Sequence, residues 1–205
     1  MSVLKKHIIR QDKKMFTEII NNAFKEHEDV AKKTLLSIAK KIEDSADVIA
    51  KSLKLGGTIF WCGNGGSAAD SQHIAAEFVG RFKKDREPLR SIALTTDSSI
   101  LTCIANDYSY EEIFSRQLSA LGKEGDVLVV ITTSGQSKNI IQALHQAKIM
   151  KIKTIALLGK KGGVCKNHSD IPLIIPSDNT ARIQEIHILT EHLLCELVEK
   201  KLGLD

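Results

Sequence analysis

The chain has 205 residues, of which 42% are apolar, 26% charged and 4% aromatic, with a formal net charge of +4. This composition suits one domain with a real core, and the small charge reads as a solvated surface. No basic run with interleaved aromatics points to nucleic acid, and no run of 18 apolar residues could span a membrane. Residues Met1 to His7 lack the apolar core of a signal peptide, so the cytoplasm is the expected compartment. Cys62, Cys103, Cys165 and Cys195 are scattered in apolar surroundings without a C-x-x-C, and read as reduced core residues.

The first 55 or so residues contain no proline or glycine and read as helical. Phe16, Ile19, Ile20, Ala23 and Phe24 make one apolar stripe. Leu35, Ile38, Ile42, Ala46, Ile49 and Leu53 make a second. The pattern predicts two helices with a break near Glu28-Asp29. Either they pack on their own domain or they form an oligomerisation arm.

From Gly57 onward the texture changes to apolar runs alternating with helical segments. Thr58–Trp61, Ser91–Leu94, Val127–Ile131, Thr154–Leu158 and Ile171–Ile175 are apolar on both faces, as strands of a buried parallel sheet are. Helices are predicted around Ala68–Phe82, Ser99–Leu121, Ser137–Met150, Val164–His168 and Ala181–Lys201. The expected fold is therefore α/β, a three-layer sandwich with a five-stranded parallel sheet. It is read as a single domain over residues 1–205, the helical arm covering 1–55 and the core 56–205.

Two strand ends carry unusual chemistry, and ligands of such sheets sit at the strands' carboxyl ends. After the first strand comes Gly63-Asn64-Gly65-Gly66-Ser67 and then a helix, an arrangement that offers free N–H groups to an anion. Read alone, it is equally a strand–turn–helix corner with no ligand. His73 and Glu77 follow at i and i+4 on one face of that helix. After the third strand come Thr132, Thr133, Ser134 and Ser137, four hydroxyls around Gly135 with no P-loop lysine. A single helix cap uses one hydroxyl, so four favour a phosphate monoester over capping.

These segments resemble the sugar isomerase (SIS) domain family and, within it, the bacterial phosphoheptose isomerases. The likeness rests on the two loops and on three further stretches, Asp70 to Arg81, Ala105-Asn106-Asp107-Tyr108, and Thr180 to His187 continuing to His192. It covers nearly the whole chain. The resemblance implies a flavodoxin-like SIS fold and an aldose–ketose isomerase acting on sedoheptulose 7-phosphate, at the head of nucleotide-activated heptose synthesis for lipopolysaccharide or other surface glycans. It implies substrate contacts from Asn64, Gly65, Gly66, Ser67, Glu77, Asn106, Asp107, Thr132, Thr133, Ser134, Ser137 and Gln184. It further implies Glu77 and His192 as the proton-transfer pair, and one zinc ion per subunit on His73, Glu77, Gln184 and His192. A homotetramer with active sites at subunit interfaces is also implied, with no nucleic-acid or membrane partner. Ala181 stands where some relatives carry an acid, and Thr132 where a serine is frequent.

Spacing by itself does not select that set. Gln184 and His192 are about 12 Å of helix rise and about 80° of rotation apart, whereas His187 and Glu191 form a neater i,i+4 pair. The choice rests on the resemblance. Arg81, one turn past Glu77, pairs with that or another acid, or sits at the surface. Asn106-Asp107 is either a turn or an acceptor for sugar hydroxyls. Two other readings stand beside the isomerase, namely a non-catalytic SIS paralogue that binds a replication initiator, and an isomerase of another phosphosugar. A pure binding module has no need to keep His73, Glu77, Gln184 and His192 together.

Overall fold

A computed structural model describes residues 3–204, with side chains from residue 15 onward; residues 1, 2 and 205 and the side chain of His7 lie outside the described residues. The chain opens with α1, Val3–Lys54, a single helix that runs without interruption through Glu28 and Asp29. The predicted break is absent for two reasons. No proline or glycine interrupts the segment, and a buried stripe of Val30, Thr34, Ile38, Ile42, Ala46 and Ile49 continues at three- and four-residue spacing. Lys32 adds an i,i+4 pair to Glu28 at 2.6 Å across the expected break. Leu35, assigned to the buried stripe from sequence, is exposed, while Leu53 is half-buried against the core.

Five parallel strands follow: β1 (Ile59–Gly63), β2 (Ser91–Ala93), β3 (Val127–Thr132), β4 (Lys153–Leu158) and β5 (Ile171–Ile174). Their spatial order is β2-β1-β3-β4-β5. The chain builds outward from β1 to one edge and then returns beside β1 to build toward the other. The switch point therefore lies between β1 and β3, where Gly63 sits opposite Ile131.

The helices between the strands are α2 (Gly66–Val79), α3 (Ser98–Asp107), α4 (Ser115–Leu121), α5 (Lys138–Ile149) and, last, α6 (Thr180–Leu202). One helix was expected over Ser99–Leu121. It is instead split into α3, a 3-10 turn over Tyr110–Glu112, and α4. Asp107 and Ser109 favour local turns over a continued helix, and Ser109 is extended. The expected helix at Val164–His168 is only a 3-10 turn, Cys165–Asn167.

Alternate strand residues feed two cores. Ile59, Trp61, Val127, Val129, Ile131, Ile155 and Leu157 meet α1, α2 and α6 on one face. Phe60, Cys62, Leu128, Val130, Ala156 and Leu158 meet α3, α4 and α5 on the other. Each large side chain buried this way contributes roughly 1.5–3 kcal/mol of transfer free energy. Trp61 is fully buried and also donates from Nε1 to Ser91 Oγ at 2.9 Å. The result is the expected three-layer α/β sandwich. All four cysteines are free, and Cys62, Cys165 and Cys195 are buried as expected, with burial pushing each thiol up. Cys103 departs from that expectation, being exposed on α3. Among the described residues no helix is long and apolar enough to cross a membrane.

Candidate active site

The crevice at the switch point has two halves, joined by α2. The first is a cradle of small groups at the ends of β1 and β3. Asn64, Ser67, Ile131, Thr132, Thr133, Ser134, Ser137 and Gln184 line a cavity of about 100 Å³ there. Gly65 holds φ +57° and ψ −121°, a backbone state that only glycine adopts without strain. A β-carbon on Gly66 would run into the side-chain amide of Gln184, so Gly66 is what lets Gln184 lie against the start of α2.

Asn64 is locked before any ligand arrives. Its Nδ2 donates to Asn139 Oδ1 at 3.0 Å, and Asn139 Nδ2 donates back to Asn64 Oδ1 at 2.8 Å. Tyr110 donates its hydroxyl to the same Asn64 oxygen at 3.1 Å. The hydroxyl loop is also internally ordered. Gly135 N–H donates to Thr132 Oγ1, Gln136 N–H donates to Ser134 Oγ, and the two hydroxyl oxygens stand 3.4 Å apart. Ser137 occupies the N-cap position of α5, yet its hydroxyl makes no capping bond. That removes the simple capping account of Ser137 and leaves the hydroxyl available to a ligand.

The second half lies two to three turns along α2, where it packs against α6. His73 Nε2 stands 3.1 Å from His192 Nε2 and 3.4 Å from Glu77 Oε1. Phe82 stacks on the His192 ring, with centroids 5.5 Å apart and planes 23° from parallel. The His73 side chain is about half exposed, while Glu77 is less so. The chain therefore brings His73, Glu77 and His192 together. It sets Gln184 on the cradle side at Gly66 instead. Asn106 and Asp107 end α3, where Asn106 Nδ2 donates to Asp107 Oδ1 at 2.8 Å. That bond, and then the Cys103 thiol, hold the Asp107 carboxyl below its ordinary range. Both residues are exposed and neither lines the cradle within one chain.

Two imidazole nitrogens face to face, with a carboxylate against one of them, form a donor set that suits zinc in its chemistry. The two spacings made by His73, 3.1 and 3.4 Å, are close to the ~3.3 Å edge of a tetrahedron built on ~2.0 Å bonds. The group is open, however. Among the described residues no set of three or more His, Cys, Asp or Glu is arranged to hold a metal ion.

The rival pair His187 and Glu191 turns inward from α6 and is fully buried. Neither side chain has a hydrogen-bond partner among the described residues. Burial pulls His187 down to about 4, a backbone contact with Leu158 offsetting only part of that. Burial, and then the Asp70 carboxylate, push Glu191 up to about 8. The neater sequence pair is thus a core pair. Arg81 is exposed, and the cation that reaches the Glu77 backbone is Arg86, whose Nη2 donates to the Glu77 carbonyl at 2.8 Å. Sequence reasoning missed Arg86, Phe82 and Asn139. Only Asn139, a polar residue at the start of an amphipathic helix beside the hydroxyl loop, left a local signal. A larger cavity of about 460 Å³, beside Lys148, Lys151 and Lys153 at the opposite end of the strands, holds none of the expected site residues.

The class of protein follows from fold and crevice together. The profile of the SIS domain matches residues 24–159. A phosphoheptose isomerase of Helicobacter pylori (strain P12) is 48% identical over 91% of this chain and 97% of its own. One from Clostridium acetobutylicum is 55% identical over 80% of this chain and 83% of its own. The solved structure of a phosphoheptose isomerase from Neisseria gonorrhoeae superposes with a TM-score of 0.86 at 40% identity, covering 90% of this chain and 99% of that one. The chain belongs to the phosphoheptose isomerase family of SIS-domain proteins.

Proposed function

We propose that this chain interconverts sedoheptulose 7-phosphate and D-glycero-D-manno-heptose 7-phosphate through an enediol, as an aldose–ketose isomerase. The observation that carries the reading is the two-part crevice. A cradle of hydroxyls and backbone N–H groups stands at one end of α2, and Glu77 stands with two imidazoles further along it. In this reading Asn64, Gly65, Gly66, Ser67, Thr132, Thr133, Ser134, Ser137 and Gln184 hold the phosphate end. The exposed Asn106 and Asp107 meet the sugar hydroxyls where a neighbouring subunit closes over them.

Isomerisation moves one proton from C1 to C2 and another from the C1 oxygen to the C2 oxygen. Glu77 takes the C1 proton, the C2 carbonyl oxygen gains a proton from His192, and an enediol forms. Glu77 then returns its proton to C2, while His192 recovers one from the C1 hydroxyl. The atoms balance with no external oxidant or acid. General acid–base steps of this kind supply about 10²–10⁴-fold each. Phosphate binding energy spent on positioning supplies further rate enhancement. Of the four residues implied for zinc, His73, Glu77 and His192 stand together and would hold it, while Gln184 lies on the cradle side. Bound there, the metal would polarise the substrate carbonyl.

The assembly proposed is a cytoplasmic homotetramer of single-domain subunits. Association of copies is supported by the uncovered stripe of Met15, Phe16, Ile19, Ile20 and Phe24 on α1, all roughly half exposed or more, while the number four and the compartment follow the family resemblance. The heptose product would feed nucleotide-activated heptose for lipopolysaccharide or another surface glycan. The deciding assay incubates purified protein with sedoheptulose 7-phosphate, with and without a chelator. Turnover is expected, with loss on chelation and recovery with zinc. No turnover in zinc-replete buffer sinks the reading, while full activity after complete metal removal rejects the metal alone. Light scattering should report four copies per particle.

A further inference from the structure

Just past α2 the chain doubles back, and residues 81–90 form no helix or strand. One buried ion pair pins this segment. Arg86 Nε donates to Glu199 Oε1 at 2.6 Å, and the two side chains are only 3% and 4% exposed. The remaining guanidinium donors turn to backbone carbonyls of α2 and of the segment itself. Nη2 donates to the Glu77 carbonyl at 2.8 Å, and Nη1 to the carbonyls of Phe78 at 2.9 Å and Glu87 at 3.1 Å. The last turn of α2 contains no basic residue of its own. Arg86 therefore brings from outside donors for the last carbonyls, that of Phe78 also accepting the Leu89 N–H at 3.0 Å, and a positive charge at the negative end of the helix dipole.

The other partner works on α6. Glu199 lies seven residues after His192, about 10.5 Å along the helix. Its Oε1 also accepts the backbone N–H of Phe82 at 3.3 Å, and Phe82 is the ring stacked on His192. Lys83 adds a second tie to α6 through Glu196 at 2.7 Å. One ion pair thus touches both proton-transfer groups indirectly, Glu77 through its own carbonyl and His192 through Phe82.

We infer that Arg86 and Glu199 are positioning residues that set the Glu77 carboxylate and the His192 ring in register with each other. The inference rests on the roles proposed above for Glu77 and His192. Buried ion pairs are poor sources of net stability, and apolar replacements of similar volume are frequently neutral or better. What methionines cannot reproduce is the planar fork that reaches two helix carbonyls and a carboxylate at once.

The test is the double variant Arg86→Met/Glu199→Met, which leaves no unpaired buried charge. It should fold and melt cooperatively, with kcat lowered on the order of 10- to 100-fold. KM should stay within about twofold, because the cradle lies at the ends of β1 and β3 and the opposite ends of α2 and α6. The imidazole NMR signals of His192 should move as the stacked Phe82 ring shifts, a readout that needs no substrate. If the wild-type protein does not turn over sedoheptulose 7-phosphate, the functional reading fails and the NMR signals alone decide the positioning. If the double variant does not fold, Arg86→Lys, which keeps the charge and loses the fork, is read by the same two measurements. Unchanged His192 signals overturn the inference, and so does wild-type kcat in the folded variant.

Discussion

The two halves of the crevice are held in different ways. The cradle is local and self-locked. Most of its residues come from two strand ends in direct register, with Gln184 added from the start of α6, and Asn64, Asn139, Thr132 and Ser134 are already bonded to one another or to loop backbone. The proton-transfer half spans two helices far apart in sequence, and what aligns it lies outside both proposed reacting groups, in Phe82, Arg86 and Glu199. A binding subsite tolerates such rigidity because phosphate arrives in one shape. A proton-transfer subsite must place atoms to within a fraction of an ångström while the substrate rehybridises, so it depends on how whole helices sit.

The largest expected effect separates the halves most sharply. Glu77→Gln should lower kcat by roughly 10²–10⁴-fold while calorimetry still detects sugar-phosphate binding. Near-normal turnover would remove Glu77 as the base and merge the two halves into one binding site. Next comes the buried pair on the inner face of α6. His187 is neutral in the fold and held at about 4, below its unfolded value near 6.5. The unfolded chain therefore takes up this proton first, and its contribution to stability is lost as pH falls from about 6.5 toward 4, by up to about 3 kcal/mol. Glu191, raised to about 8, contributes in the opposite sense over the same window, so His187→Leu should leave stability rising from pH 7 to pH 4.5 in denaturant titrations, relative to the flatter wild type. An unchanged slope would mean that the ring is not buried neutral.

Smaller effects probe the cradle. Ser134→Ala should raise KM by about 10-fold or somewhat more, as expected for one hydrogen bond to a charged phosphate, with kcat little changed. A fall confined to kcat would instead place the hydroxyl loop with the chemistry. Smallest is Tyr110→Phe, which removes one of two donors on Asn64 Oδ1. About a fivefold rise in KM is expected from one neutral hydrogen bond. No change would show that Asn139 alone orients Asn64.

The legibility of these features in sequence follows the same divide. Strands apolar on both faces, glycines after β1 and hydroxyls after β3 are local signals, and they led to the sheet and to the cradle. The continuous α1 was misjudged because a charged pair at Glu28-Asp29 resembles a boundary, while the burial of Val30 and Thr34 against the rest of the fold is not a local property. Likewise Asp107 and Ser109 split a predicted helix that periodicity alone carried through. His192 was preferred to His187 only through family resemblance, since helical spacing says which residues share a face but not which face is buried. Arg86 and Glu199, 113 positions apart, meet only once the sheet has formed.

The sheet order carries a consequence for how such a site diversifies. β1 and β3 are hydrogen-bonded neighbours, so Gly63 and Ile131 keep their alignment whatever the chain does between them. The excursion through α3, the 3-10 turn and α4 covers one face and passes the crevice at Tyr110, which donates to Asn64 Oδ1. Closing a longer excursion costs only about 0.6 kcal/mol per doubling of its length. Insertions and deletions around Asn106 and Asp107 can reshape that exposed surface without moving the β1–β3 register, which makes this stretch the place where the proposed sugar contacts are freest to vary.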